Sequence, residues 1–235
     1  MNLGKLYLIP TFLAETNPSN VFPELNSSII DGIKIFIVED IRTARRFIKK
    51  LNPTRNIDEL TFQVLDKHTK TEEYSSFLNA ITTENIGLLS EAGCPCIADP
   101  GAVIVSLAHS KNIQVVPLIG PSSLLLALIA SGFNGQNFAF HGYLPMDKNE
   151  RIKKIKDLEK DIYTKQQTQI FIETPFRNTP LFLDILSNCK TDTKLCIAKD
   201  LTSAEELIIT KSINNWKKSK QPDIQKVPTV FLLYK

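Results

Sequence analysis

Apolar positions in this chain fall into short blocks separated by turn formers, and the blocks switch between two spacings. Residues 5–10, KLYLIP, read as a strand stopped by a proline, and residues 22–30 read as a helix. Residues 33–38, IKIFIV, are rich in β-branched side chains and apolar on both parities, as a strand buried on both faces requires. Asp40 then stands where its carboxylate can accept from the free N–H groups of a helix start. Ala44, Phe47, Ile48 and Leu51 supply that helix's apolar stripe, and Pro53 closes it. Residues 62–65 predict a strand. Tyr74, Phe77, Leu78 and Ile81 fall at i, i+3, i+4 and i+7 and predict a helix. A strand at 86–89, a helix at 102–109 and a strand at 113–116 follow. Such alternation predicts a largely parallel, doubly wound sheet with helices on both faces.

The pattern changes at Gly120 and Pro121. Ser122 and Ser123 lead into an apolar helix at 124–130 that ends at Gly132. Strands are predicted at 138–144, 169–173, 194–198, 206–210 and 229–234. Between them come a basic amphipathic helix striped by Ile152, Ile155, Leu158 and Ile162, and a helix at 176–188. Only residues 199–205 separate two of these strands, too few for a crossover helix, so the second sheet is expected to be mixed. The fold class is therefore α/β, with two α/β domains. The first, at 1–118, carries a doubly wound parallel sheet and the second, at 119–235, a mixed sheet, and a ligand cleft is expected between them.

Composition narrows the function classes. The chain has 235 residues, 43% of them hydrophobic, and a net charge of +3, which permits an acidic partner such as RNA without requiring one. Basic residues gather at Arg42, Arg45, Arg46, Lys49 and Lys50, at Lys148, Arg151, Lys153, Lys154 and Lys156, and at Lys217, Lys218 and Lys220. No apolar run approaches the ~20 residues of a membrane span, and the first twenty residues lack a signal-peptide pattern, so a cytoplasmic protein is expected. Four cysteines without metal-ligand spacing read as buried thiols, three scattered histidines read as structural, and no metal is expected.

The chemistry concentrates in loops. Residues 90–101, SEAGCPCIADPG, sit between a buried strand and a helix, where an open α/β sheet opens its ligand crevice. Residues 10–16, 39–42 and 120–123 are expected to converge on the same edge although they are far apart in sequence. GxGxxG, GxxxxGK[ST] and GxSxG are all absent, which removes support for a dinucleotide site, a Walker phosphate cradle and a nucleophile elbow.

SEAGCPCIADPG, then VPLIGPSSLLLALIASG, FHGYLP and FIETPFRN, in this order, strongly resemble the tetrapyrrole methylase superfamily of S-adenosylmethionine-dependent methyltransferases. Within it the blocks look like the branch that methylates a cytidine 2′-hydroxyl in small-subunit ribosomal RNA. That resemblance implies a homodimeric two-domain enzyme with S-adenosylmethionine as methyl donor and ribosomal RNA or the small ribosomal subunit as partner. By match to the family blocks, Pro10, Ser90, Glu91, Ala92, Gly93, Cys94 and Pro95 lie against the donor, with Asp99 and Gly101 as a supporting turn. Gly120, Pro121, Ser122 and Ser123 match the junction segment, and Tyr143 and Leu144 a second-domain block. Glu39, Asp40 and Arg42 match a patch at the cleft mouth; Glu173, Pro175 and Arg177 match a further block. The family commonly has Asp at position 91, Thr at 94 and Gly at 96, whereas this chain has Glu91, Cys94 and Cys96. Lys199 and Asp200 stand where an arginine-and-acid block is usual, and the C-terminal extension of the ribosomal RNA enzymes is missing.

A ribose hydroxyl is a weak nucleophile near neutral pH, so a positioned base or a cation beside the developing alkoxide would help. Glu39, Asp40 and Glu173 are the candidate bases; Arg42, Arg177 and Lys199 are the candidate electrostatic partners. Asp40 can equally be a helix cap, Arg42 a surface charge, and Glu173 a structural partner of Arg177. A tetrapyrrole or other small-molecule substrate, or a chain that binds donor or RNA without catalysis, are the rival readings.

Overall fold

The computed structural model describes residues 4–66 and 68–235. The chain divides into two compact units, Met1–Ser122 and Ser123–Lys235.

The first unit holds strands β1 (Leu6–Ile9), β2 (Ile35–Val38), β3 (Thr61–Val64), β4 (Ile86–Leu89) and β5 (Val115–Pro117). They form one sheet in the order β3-β2-β4-β1-β5. Every pairing in it is parallel. Successive side chains serve opposite cores, as the pleat demands. Leu6, Ile37, Ile86 and Leu88 join Phe77, Leu78, Ile81 and helix α3 (Ala102–Ser110) on one face. Ile9, Phe36, Val38 and Leu89 join helices α1 (Glu24–Asp31) and α2 (Ile41–Leu51) on the other. Apolar residues on both parities of the 33–38 block are thus explained by two covered faces.

Segment Thr71–Thr82 differs from expectation in its winding. It is a 3₁₀ helix, and it still turns Phe77, Leu78 and Ile81 inward. Ser75, Ser76, Asn79, Thr82 and Thr83 are weak helix formers that compete locally for backbone hydrogen bonds, and Ser76 Oγ donates to the Glu73 carbonyl at 2.6 Å.

The second unit contains helix α4 (Ser123–Ser131), strand β6 (Phe138–Tyr143), helix α5 (Lys148–Lys165), strand β7 (Thr168–Ile172) and helix α6 (Asn178–Asn188). Strands β8 (Lys194–Lys199) and β9 (Leu207–Ser212), a short helix α7 (Ile213–Lys217) and strand β10 (Thr229–Tyr234) complete it. Sheet order is β6-β7-β10-β8-β9. Pair β6–β7 is parallel and the rest are antiparallel, so the sheet is mixed as expected. Ile155, Leu158, Ile162, Phe171, Phe182, Trp216 and Phe231 build its main core.

One basic cluster needs correction. Arg151 stands in the basic run of α5, but it is buried: its Nε and Nη2 donate to Asp184 Oδ2 at 2.8 and 2.7 Å, and Nη1 donates to the Met146 carbonyl at 2.9 Å. It ties α5 to α6 and is unavailable to a phosphate.

Candidate functional site

Loops leaving the carboxyl ends of β1, β2, β4 and β5 are bonded to one another in the first unit. Thr11 N–H donates to the Gly93 carbonyl at 2.9 Å, joining the β1 and β4 loops. Thr43 Oγ1, in the first turn of α2, donates to Glu91 at 2.8 Å and joins the β2 and β4 loops. The Cys94 thiol donates to the Pro121 carbonyl at 3.5 Å and joins the β4 and β5 loops. Asn26 Nδ2 donates to the Ile119 carbonyl at 2.7 Å and brings α1 to the same place. The convergence expected from topology is therefore present, made of specific bonds rather than of proximity alone.

Two glycines make the approach possible. Gly93 has a φ of +73°, and a Cβ there would lie 2.9 Å from Leu13 Cδ2 and 3.3 Å from the Pro121 carbonyl oxygen. A Cβ on Gly120 would overlap Pro10 at 2.2 Å. Within the β4 loop, the buried Ser90 hydroxyl donates to the Gly93 carbonyl at 2.6 Å. Asp99 Oδ1 accepts from the N–H groups of Cys96 and Gly101 at 2.9 and 2.8 Å, which closes the loop before α3 starts. Pro10 and Pro95 are buried, while Glu91 and Ala92 are exposed at the rim.

Beside these loops lies an open cleft of about 700 Å³ lined by Glu39, Asp40, Asp66, His68, Glu91, Ala98, Asp99 and Pro100. Its wall is acidic. Burial, followed by the charges of Asp99 and Glu91, raises the Glu39 carboxyl above its ordinary value. Asp40 is held below its ordinary value, chiefly by the Thr43 backbone N–H and then by the Thr43 side chain. Its Oδ1 accepts from Thr43 N–H at 2.8 Å, so its carboxylate caps α2. Arg42 is exposed on the first turn of the same helix. The two candidate carboxylates of this stretch are thus in opposite states: Asp40 engaged as a cap and poorly basic, Glu39 half-buried and more basic.

Asp66 and His68 escaped the sequence reading. They follow β3, whose carboxyl end lies on the same sheet edge, so the topology that placed the other loops also contained this one. Thr43 was missed because a helix residue that bonds a distant loop has no sequence signature.

Cysteines of the β4 loop are walls. Burial pushes the Cys94 thiol up, and burial with the Asp99 charge pushes Cys96 up to about 11. Both are neutral and poorly nucleophilic near pH 7. Among the described residues no group of three or more His, Cys, Asp or Glu side chains is arranged to hold a metal.

In the second unit, the carboxyl ends of β6 and β7 lie side by side, with Tyr143 paired to Ile172 across the ladder. Tyr143 is exposed and Leu144 is buried. Glu173 is buried; its Oε1 accepts from Thr174 N–H and Arg177 Nη2, and Arg177 Nε donates to Thr174 Oγ1 at 3.1 Å. Glu173 Oε2 and Arg177 Nη1 are buried atoms with no hydrogen-bond partner among the described residues. An unpaired buried polar atom costs about 1–3 kcal/mol, which a folded chain keeps chiefly where the group has a further use. Lys199 Nζ, at the end of β8, which β10 separates from β7, donates to the Asp223 carbonyl at 3.0 Å.

No family model matches the chain. It is 31% identical over 219 residues to ribosomal RNA small subunit methyltransferase I of Bacillus subtilis, covering 91% of this chain and 69% of that protein. It is 28% identical over 205 residues to the protein of the same name from Buchnera aphidicola, with 87% and 66% covered. For the Vibrio cholerae relative the figures are 28% over 203 residues, 86% and 67%. The chain thus spans about two thirds of the length of these relatives. Among solved structures it superposes on the methyltransferase CobJ with a TM-score of 0.65 at 12% identity, over 99% of this chain and 94% of that one. On cobalt precorrin-4 methyltransferase CbiF the TM-score is 0.62 at 11% identity, over 98% and 94%. At identities this low, the two superpositions establish a shared fold.

Proposed function

The chain belongs to the ribosomal RNA small subunit methyltransferase I family, and from that premise we propose that it methylates a ribose 2′-hydroxyl of small-subunit ribosomal RNA with S-adenosylmethionine as donor. The observation that carries this reading is the bonded set of β1, β2, β4 and β5 loops beside an open acidic cleft. The donor bears positive charge at its sulfonium and its ammonium, and the carboxylates of Glu39, Glu91 and Asp99 offer it complementary charge. Ser90, Ala92, Gly93, Cys94 and Pro95, with Pro10 and Gly120 to Ser122, are the proposed donor-binding loops of the first unit.

Bound S-adenosylmethionine supplies a methyl group on a cationic sulfur, so the chemistry needed from the protein is alignment and exclusion of water. Glu39 is the proposed base: its raised affinity for a proton suits it to take one from the ribose hydroxyl as the oxygen attacks. Asp40 orients the start of α2 and so presents Arg42, whose charge would steady the phosphate or the developing alkoxide. Glu173 and Arg177 are proposed as a positioning pair on the RNA side. The proposed partner is the small ribosomal subunit, and the proposed compartment is the cytoplasm. A homodimer is the proposed assembly, supported by Leu125 and Ile129, which α4 leaves 53% and 76% exposed four residues apart.

A tritiated methyl-transfer assay tests the reading, run on undermethylated small subunits beside free ribosomal RNA and a porphyrin precursor. Label in the small subunits, resistant to alkali as a 2′-O-methyl linkage is, is the expected result. Label confined to the porphyrin precursor would overturn it. Glu39→Gln is expected to slow transfer by about 10²–10⁴-fold without abolishing donor binding.

A further inference from the structure

The turn Pro175–Arg177, between β7 and α6, lifts a large aromatic side chain out of the second unit. Phe176 is 70% exposed, so its ring faces are open to a ligand. Its setting is built rather than loose. Lys226 N–H donates to the Pro175 carbonyl at 2.9 Å, and the Lys226 ammonium lies 5.9 Å from the Phe176 ring centroid. Lys226 reaches this position with a φ of +62°, a left-handed conformation that a non-glycine residue holds only when its surroundings compel it. The segment around it is pinned by Asn178, whose Nδ2 donates to the carbonyls of Ile224 and Val227 at 3.0 and 2.7 Å. Arg177, the next residue, is engaged by Glu173 and Thr174, which fixes the turn and leaves Lys226 as the cation beside the ring.

An exposed ring on a bonded turn with a cation beside it has the chemistry of a single-stranded nucleic-acid contact, in which a base stacks on the ring and its phosphate meets the charge. We propose that Phe176 is a stacking platform for one unpaired base of the RNA substrate, with Lys226 receiving the adjoining phosphate. This rests on the RNA methyltransferase reading and deepens it, because it assigns a part of the second unit to the substrate and requires the target strand to be unpaired there.

The test uses the full chain and its variants, with a fluorescein-labelled oligocytidylate in an anisotropy titration over a series of salt concentrations, and with methyl transfer to undermethylated small subunits. Phe176→Ala and Phe176→Leu are both expected to weaken oligonucleotide binding by about 5- to 150-fold, the range for one base–aromatic stack, and to leave the salt slope unchanged. Phe176→Trp is expected to retain binding. Lys226→Ala is expected to lower the salt slope by about one. In small-subunit methylation the Phe176 variants raise KM more than they lower kcat, while calorimetric affinity for S-adenosylmethionine is preserved. Wild-type transfer to RNA with unaltered binding and KM in Phe176→Ala overturns the platform and leaves the methyltransferase reading intact. Leucine equal to phenylalanine also overturns it, since apolar cover alone would then suffice. A Phe176→Ala chain that changes from dimer to monomer in sedimentation with RNA binding intact assigns the ring to a second copy instead. Absence of any transfer to RNA by the wild type overturns the reading, and the platform with it.

Discussion

Thr43 Oγ1 donates to Glu91 Oε1 at 2.8 Å, across 48 positions of sequence, and so locks the first turn of α2 to the central β4 loop. The same hydroxyl lies 3.1 Å from Asp40 Oδ1, so one side chain completes the helix cap and orients the cleft carboxylate together. Thr43→Val keeps the shape and removes the hydroxyl. It is expected to cost about 1 kcal/mol in urea unfolding, the net value of an ordinary hydrogen bond, and to weaken S-adenosylmethionine binding measured by calorimetry. Thr43→Ser is expected to restore both. Valine behaving like threonine in both measurements would show that the bridge does not organise the cleft.

Glu39 gives a pH-dependent consequence with a definite sign. Its carboxyl in the folded protein is raised above the ordinary 4.5 by burial, Asp99 and Glu91, so the folded state binds the proton more tightly than the unfolded state does. The stability linked to that proton is complete below about pH 4.5 and is lost as pH rises through the raised folded value. At neutral pH the charged Glu39 is therefore a burden. Glu39→Gln is expected to have a higher urea midpoint than wild type near pH 7, with the gap closing as the pH falls below 4.5. A gap that stays constant with pH would remove the linkage.

Much of this was readable from residues alone, because the relevant signals were local. Apolar residues on both parities at 33–38 announced a strand covered on two faces, and Asp40 announced a cap; both are present. The β4 loop stood out through its glycines and prolines. What could not be read was long-range. Thr43 is an unremarked helix residue until Glu91 is beside it, His68 gains meaning only from the edge it shares, and Arg151 in a run of lysines looks like surface until Asp184 meets it. Side chains that act across the fold carry no periodicity and no spacing.

Arg151 and Asp184 supply a prediction in which sequence and structure disagree outright. With side chains only 10% and 11% exposed, the pair has been taken out of water and depends on its own geometry. Asp184→Ala strands a buried guanidinium and is expected to cost about 3–5 kcal/mol in chemical denaturation. Arg151→Met combined with Asp184→Leu is expected to recover most of that loss, since no buried charge is then left alone. The salt dependence of RNA binding by the double variant should match wild type. A lower slope would return Arg151 to the phosphate-binding surface.

Cys96 is the sharpest test of how tightly the β4 loop is held. Its φ is +69°, and Ala98 two residues on has +62°, so two side-chain-bearing residues occupy a region that costs roughly 1–2 kcal/mol each. The family resemblance places glycine at position 96, the residue that enters this region without penalty. Asp99 enforces the conformation here by gathering the N–H groups of Cys96 and Gly101. The thiol also packs, lying 3.2 Å from where a Cβ on Gly101 would sit, so removing it has a cost of its own. Comparing Cys96→Gly with Cys96→Ala cancels most of that loss and isolates the backbone. The glycine variant is expected to be more stable than the alanine variant by about 1 kcal/mol, read from urea midpoints at equal slope. Both should bind S-adenosylmethionine as wild type does, because a thiol raised to about 11 offers the donor no charge and no nucleophile. Equal stability of the two variants would mean that the loop relaxes out of the left-handed conformation once the side chain is trimmed, and that Asp99 alone does not hold it.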